Sequence, residues 1–247
     1  PDEFGRFMVD ALQQRGVDTS GVVTDPAVRT GLSVILSTGP DRAILTFLGA
    51  IPTLKYDEIR PEVLGRARHL HLASYFMQTE LRPDVPRLFD LAHTLGMSVS
   101  LDTNYDPAET WNGGLAAALA RCDIFLPNAV EACAITGQDD PLLARDALAG
   151  QISLVAVKLG ANGAAARQGG LTASADPIPV QVIDTVGAGD SFDAGFIYGY
   201  LKGWDLARSL RLGAVCGALS TRAAGGTAAQ PTFSEANSYL GGPQGSI

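Results

Sequence analysis

The stretch VIDTVGAGDSFDAGF, Val182 to Phe196, sets three small residues, Gly187, Ala188 and Gly189, directly before a carboxylate, Asp190. Phe192, Phe196, Ile197, Tyr200 and Leu201 recur at helical spacing, which predicts a helix over Ala188–Lys202. The small residues then lie at its start, where the first N–H groups lack partners and the helix dipole is positive. Bare backbone there binds anionic oxygen. A hydroxyl beside Asp190 could lose its proton to that carboxylate while the adjacent amides stabilise a phosphoryl group in transfer. The plainer reading is an ordinary Asp in a first helical turn.

Other polar clusters could belong to the same chemistry. Asp102 and Asn104 follow an apolar run, Asn128 and Glu131 have the spacing of a helix N-cap and its capping-box partner, and Lys158 leads into Gly160, Ala161, Asn162 and Gly163. Taken alone, the first is a strand-end turn, the second a helix cap and the third a tight turn between strands. Ser191, Gly195 and Gly199 form a small-residue stripe that invites a second helix, with Gly213 and Gly217 as natural partners. The glycines do not form a Walker A loop. They do not form G-x-G-x-x-G either, because Phe192 takes the third glycine position.

The elements that would position these residues follow from pattern. PDEFGRFMVDALQQRGVDTS reads as a helix with Gly16 as its stop, and Val28–Ser37 with Arg42–Phe47 as a hairpin turned at TGPD. Strands are expected at HLHLAS, MSVSLD, DIFLP, SLVAVKLG, Ala164–Arg167 and Ile178–Ile183. Helices are expected at Glu80–Leu95, Pro107–Ala120, Ala129–Thr136, Pro141–Ala149, Ala188–Lys202 and Leu206–Ala223. Strands alternating with helices predict an α/β fold, a three-layer α/β/α sandwich on a mostly parallel sheet. Ligands of such sheets bind beyond the carboxyl ends of the strands, where these clusters fall. GGPQGSI reads as a loose tail.

The chain has 247 residues, 46% of them hydrophobic, and a net charge of −8. That suits one compact domain with a small appendage and argues against nucleic acid and anionic membrane as partners. No apolar run approaches the roughly 20 residues of a membrane span. Three cysteines without a C-x-x-C pair fit reduced thiols in a cytoplasmic protein. The three histidines lack metal-ligand spacing and read as structural. The chain opens on Pro1 inside a helix, so further sequence is expected upstream.

DTVGAGDSFDAGF resembles the C-terminal signature of the ribokinase-like (PfkB) carbohydrate kinases, and FLPNAVEACAITG, VAVKLGANGA and CGALSTRAAGGTAAQPT are similar to other segments of that family. The resemblance implies ATP-dependent phosphorylation of a sugar hydroxyl. Asp190 would be the general base, with Gly187, Ala188 and Gly189 as the anion hole. Asn128 and Glu131 would organise Mg²⁺, chiefly through water. Lys158 to Gly163 would flank ATP, and Ala214 and Gly217 would wall the adenine. Asp102 and Asn104 would line the sugar cleft. Asp184 and the Val186 carbonyl match positions that hold a monovalent cation, usually K⁺. The family's Asp-x-Asn segment often carries Arg where this chain has Asp106. Residues 22–50 would be a β-hairpin lid that covers the sugar and pairs two subunits, and 1–21 with 51–247 the main domain. The resemblance leaves open a nucleoside acceptor. Because the family's sugar-gripping first strands are not found in the sequence, it also leaves open a member that binds nucleotide without turning sugar over.

Overall fold

The computed structural model describes residues 1–38 and 41–241. The middle of the expected TGPD turn and all but the first residue of the GGPQGSI tail lie outside these. In chain order the elements are α1 (Glu3–Gln14), β1 (Leu32–Thr38), β2 (Asp41–Phe47), α2 (Pro61–Leu64), β3 (His69–Ala73), α3 (Val85–Thr94), β4 (Ser98–Asp102) and α4 (Leu115–Leu119). There follow β5 (Ile124–Phe125), α5 (Ala129–Thr136), α6 (Pro141–Ala149), β6 (Leu154–Lys158), β7 (Ala164–Gln168), β8 (Leu171–Ala175), α7 (Ala188–Leu201), α8 (Leu206–Ser220) and α9 (Phe233–Ser238).

The chain divides into two compact units, one of residues 1–70, 74–98 and 105–118, the other of 71–73, 99–104 and 119–247. In the first, Asp2 caps α1, and its carboxylate accepts from the amides of Gly5 and Thr30, each at 2.8 Å. β1 and β2 form the expected antiparallel hairpin, and Val34, Leu36 and Leu45 on it are exposed. The expected helix over Pro107–Ala120 shrinks to α4. The cause is Asp106, whose carboxylate accepts from the amides of Ala108, Thr110 and Trp111 and holds 106–111 as a loop. The helix expected from Glu80 begins at Val85, after a single 3₁₀ turn over Arg82–Asp84.

The larger sheet runs in the order β3-β4-β5-β6-β7-β8. β4, β5 and β6 pair in parallel, and β7 and β8 return antiparallel. The strand expected at Ile178–Ile183 does not form, and β8 takes its place. Gly169 and Gly170 make a two-residue turn that pairs Gln168 with Leu171, a hairpin signal in its own right. Pro177 and Pro179 lack the N–H that a ladder at 178–183 would need. Ile178 and Val180 instead pack against Leu212, Val215 and Leu219 of α8.

Alternation along β6 places Leu154 and Ala156 in a core with Phe192 and Phe196 of α7 and Leu210 and Ala214 of α8. Val155 and Val157, fully buried too, point to the opposite face, so helices cover both sides. The small-residue stripe sets how closely α7 and α8 approach. A Cβ on Gly195 would stand 2.9 Å from the Leu212 carbonyl, and one on Gly199 would stand 2.7 Å from Ser209 Oγ. Gly213 and Gly217 receive Phe192 and the Ala188 carbonyl rather than the glycines of α7.

Candidate active site

The start of α7 is built by two loops locked backbone to backbone. The amides of Ile183 and Asp184 donate to the Thr221 carbonyl at 2.8 and 3.1 Å. The Asp184 carboxylate accepts from Val186 N–H at 3.0 Å and from Gly225 N–H at 2.9 Å. Gly187, the N-cap, has φ 73°, and a Cβ there would lie 2.8 Å from the Gly226 carbonyl oxygen. Only glycine fits that conformation and that contact. The Ala188 amide reaches the Thr185 carbonyl at 3.3 Å, and Ser191 N–H closes the first helical bond to Gly187 at 3.0 Å. The amides of Gly189 and Asp190 are therefore first-turn donors without an acceptor among the described residues. The Asp190 side chain is exposed beside them.

Directly beneath lies a buried charge cluster. Lys158 Nζ donates to Asp102 Oδ2 at 2.7 Å and to Asp193 Oδ1 and Oδ2 at 3.1 and 3.3 Å, and it sits 3.6 Å from where a Cβ of Gly189 would be. Burial alone would push the ammonium down, but Asp193 and Asp102 more than reverse this and hold Lys158 charged. Burial, opposed by Lys158 and reinforced by the neighbouring Asp102 charge, raises the pKa of Asp193. Asp102 is held low despite its burial, by the Lys158 ammonium beside it and the Asn104 amide. His71 Nε2 faces Asp193 Oδ2 at 4.0 Å, and its Nδ1 bonds Ser100 Oγ at 2.7 Å. Burial lowers the pKa of His71 and favours the neutral ring.

Asn128 and Glu131 border this cluster, since Lys158 N–H donates to the Pro127 carbonyl at 3.0 Å. They form a full capping box. Glu131 N–H donates to Asn128 Oδ1 at 3.0 Å, and both Glu131 carboxylate oxygens accept from Asn128, from N–H at 2.9 Å and from Nδ2 at 2.6 Å. Burial and the nearby Asp102 charge push Glu131 up to about 7. Asn104 sits beside Asp102, its amide donating to Asp102 Oδ1 at 3.0 Å. Gly160, Ala161 and Asn162 are an exposed turn between β6 and β7, and Gly163 ends it against the Ala175 carbonyl. Ala214 and Gly217 are buried in α8, Ala214 in the core and Gly217 on the Ala188 carbonyl and Phe192.

The structure thus gathers Asp102, Lys158, Gly189 and the Asn128–Glu131 cap at one end of the sheet, with Asp184, Val186 and Gly187 interlocked next to them. Asp193, His71 and Ser100 belong to the same cluster and were missed in sequence. Asp193 gave a signal, as a charge three residues after Asp190 inside an otherwise apolar helix. A model of the pfkB family carbohydrate kinases matches residues 1–232. The chain belongs to that family. It is 34% identical to an uncharacterized sugar kinase of Archaeoglobus fulgidus over 86% of this chain and 84% of the relative. It is 27% identical to a 5-dehydro-2-deoxygluconokinase of Geobacillus thermodenitrificans, over 97% and 76%. A fructokinase of Vibrio cholerae, solved with fructose, ADP and calcium, superposes with a TM-score of 0.84 at 26% identity, over 97% of this chain and 82% of the other. The three-layer α/β fold with a mostly parallel sheet is therefore that of ribokinase-like sugar kinases. The chain is a sugar kinase of the pfkB family, a phosphotransferase with an alcohol group as acceptor. No helix among the described residues is long and apolar enough to cross a membrane.

Proposed function

We propose that the chain transfers the γ-phosphoryl group of ATP to a hydroxyl of a sugar or sugar-like small molecule, with Asp190 as general base. The observation that carries this reading is the pairing of an exposed Asp190 carboxylate with the open amides of Gly189 and Asp190 in one helical turn. The hydroxyl proton passes to Asp190 as its oxygen bonds to phosphorus and the bond to the ADP oxygen breaks. The amides and the positive end of α7 receive the charge on the phosphoryl oxygens. The Gly160–Gly163 turn flanks the nucleotide, and Asp102 and Asn104 border the acceptor; Ala214 and Gly217, expected along the adenine, are instead packed inside α8.

Among the described residues no group of three or more His, Cys, Asp or Glu forms a metal cage. Mg²⁺ keeps several waters and binds chiefly through phosphates. Asn128 and Glu131 would hold it through those waters, because Glu131 already spends both oxygens on the cap. When bound, Mg²⁺ neutralises phosphate charge. Asp184 and the Val186 carbonyl, beside the Gly226 backbone, are the residues for a K⁺ ion. Residues 22–50 serve as the lid, and the exposed apolar side chains of the hairpin form the face a second copy would cover.

Coupled ADP release with hexoses, pentoses, sugar acids and nucleosides tests the assignment. ADP release that depends on a sugar or sugar acid supports it. Release that depends only on nucleosides, or on no acceptor at all, overturns the substrate class.

A further inference from the structure

Lys158 carries a role of its own. It leaves the carboxyl end of β6 and reaches Asp102 at the end of β4 and Asp193 one turn past Asp190 on α7. His71 of β3 and Ser100 of β4 extend the same cluster. An ammonium has three donors. Here one donor reaches Asp102 at 2.7 Å, another is shared by the two oxygens of Asp193 at 3.1 and 3.3 Å, and the side chain is 12% exposed. Nζ lies 3.6 Å from where a Cβ of Gly189 would stand, so it faces the first turn of α7.

We propose that Lys158, clamped between Asp102 and Asp193, is a positioning residue that fixes the first turn of α7 against the ends of β4 and β6 and so aims Asp190 and the Gly189 amide. The inference rests on the reading of Asp190 as base. Two features favour this role over plain core stability. Asp193 and Asp190 lie three apart, so a shift of one moves the other with it. The α7 start is also held from its other side, through Asp184 and Gly226, so the turn is fixed at both edges. Displacing reacting groups by about 1 Å costs on the order of 10²-fold in rate.

Two variants test it, with ATP–Mg²⁺ and the panel acceptor of highest turnover. Lys158→Met removes the clamp. Asp193→Ala removes one arm and leaves the Lys158–Asp102 pair, so the buried ammonium stays paired and the fold is kept. Both should lower kcat, by about 10²-fold and about 10-fold, with KM for ATP within threefold of wild type. The double variant should be no worse than Lys158→Met, because both act through one clamp. Hydrogen exchange, which needs no acceptor, should rise in 184–196 and stay constant in α5 and α6. A folded variant with wild-type kcat and unchanged exchange overturns the proposal. So does a raised KM for ATP at constant kcat, which would make Lys158 a direct nucleotide ligand. Asp190→Asn separates the two readings. If it is inactive while Lys158→Met is active, only the clamp fails; if it is active, the base assignment fails.

Discussion

Gly187 and Gly137 share a backbone conformation, φ 73° and 69°, and differ in what surrounds them. A Cβ on Gly137 meets nothing within 4 Å, whereas one on Gly187 lands 2.8 Å from the Gly226 carbonyl oxygen and 3.1 Å from its Cα. Both substitutions to Ala incur the left-handed penalty, about 1–2 kcal/mol. Gly187→Ala adds a clash with backbone that no side-chain rotation relieves, about 1–3 kcal/mol more. At about 2–4 °C per kcal/mol for a chain of this size, Gly187→Ala should melt roughly 2–12 °C below Gly137→Ala. The clash also pushes the first turn of α7 away from Gly226, so kcat should fall in Gly187→Ala and stay near wild type in Gly137→Ala. Thermal melts and steady-state rates on both proteins decide it. Equal melting temperatures with equal kcat would refute the interlocked backbone at the α7 start.

Gly199→Val should destabilise by about 2–4 kcal/mol in urea titration, since its Cβ already meets Ser209 Oγ at 2.7 Å and Ser209 Cα at 2.9 Å. Glu131 holds its proton to about 7 in the folded chain against 4.5 in a free carboxyl. The folded state therefore binds more protons between these values, and stability in metal-free buffer should fall as pH rises from 4.5 to 7, by up to about 3 kcal/mol. Glu131→Gln should flatten that slope. Burial raises Cys122 to about 12 and Cys216 to about 11, so both should resist alkylation at pH 8 in the native protein and react once it is unfolded.

Where local signals agreed, the sequence was legible to the residue. Asn128 with Glu131 announced α5, and α6 runs over the expected Pro141–Ala149. The apolar stripe after Gly187 announced α7. It was misleading where a side chain or prolines overrode the pattern. Asp106 drew three amides out of a would-be helix, and Pro177 and Pro179 kept an alternating segment out of the sheet. The sequence pointed to the loops around the candidate site and not to the buried cluster beneath them. The family resemblance sets Lys158 beside ATP, but strand alternation turns its side chain inward, onto Asp102 and Asp193. Such partners lie 56 and 35 residues away, beyond any spacing rule.

The central claim is that Asp190 takes the acceptor proton. Asp190→Asn keeps the shape of the exposed side chain and leaves the buried cluster and the amides of α7 in place. Turnover on the best acceptor, measured by coupled ADP release beside ATP–Mg²⁺ binding by calorimetry, should fall by about 10²- to 10⁴-fold with nucleotide affinity unchanged. Wild-type kcat in a folded Asp190→Asn protein would contradict the account.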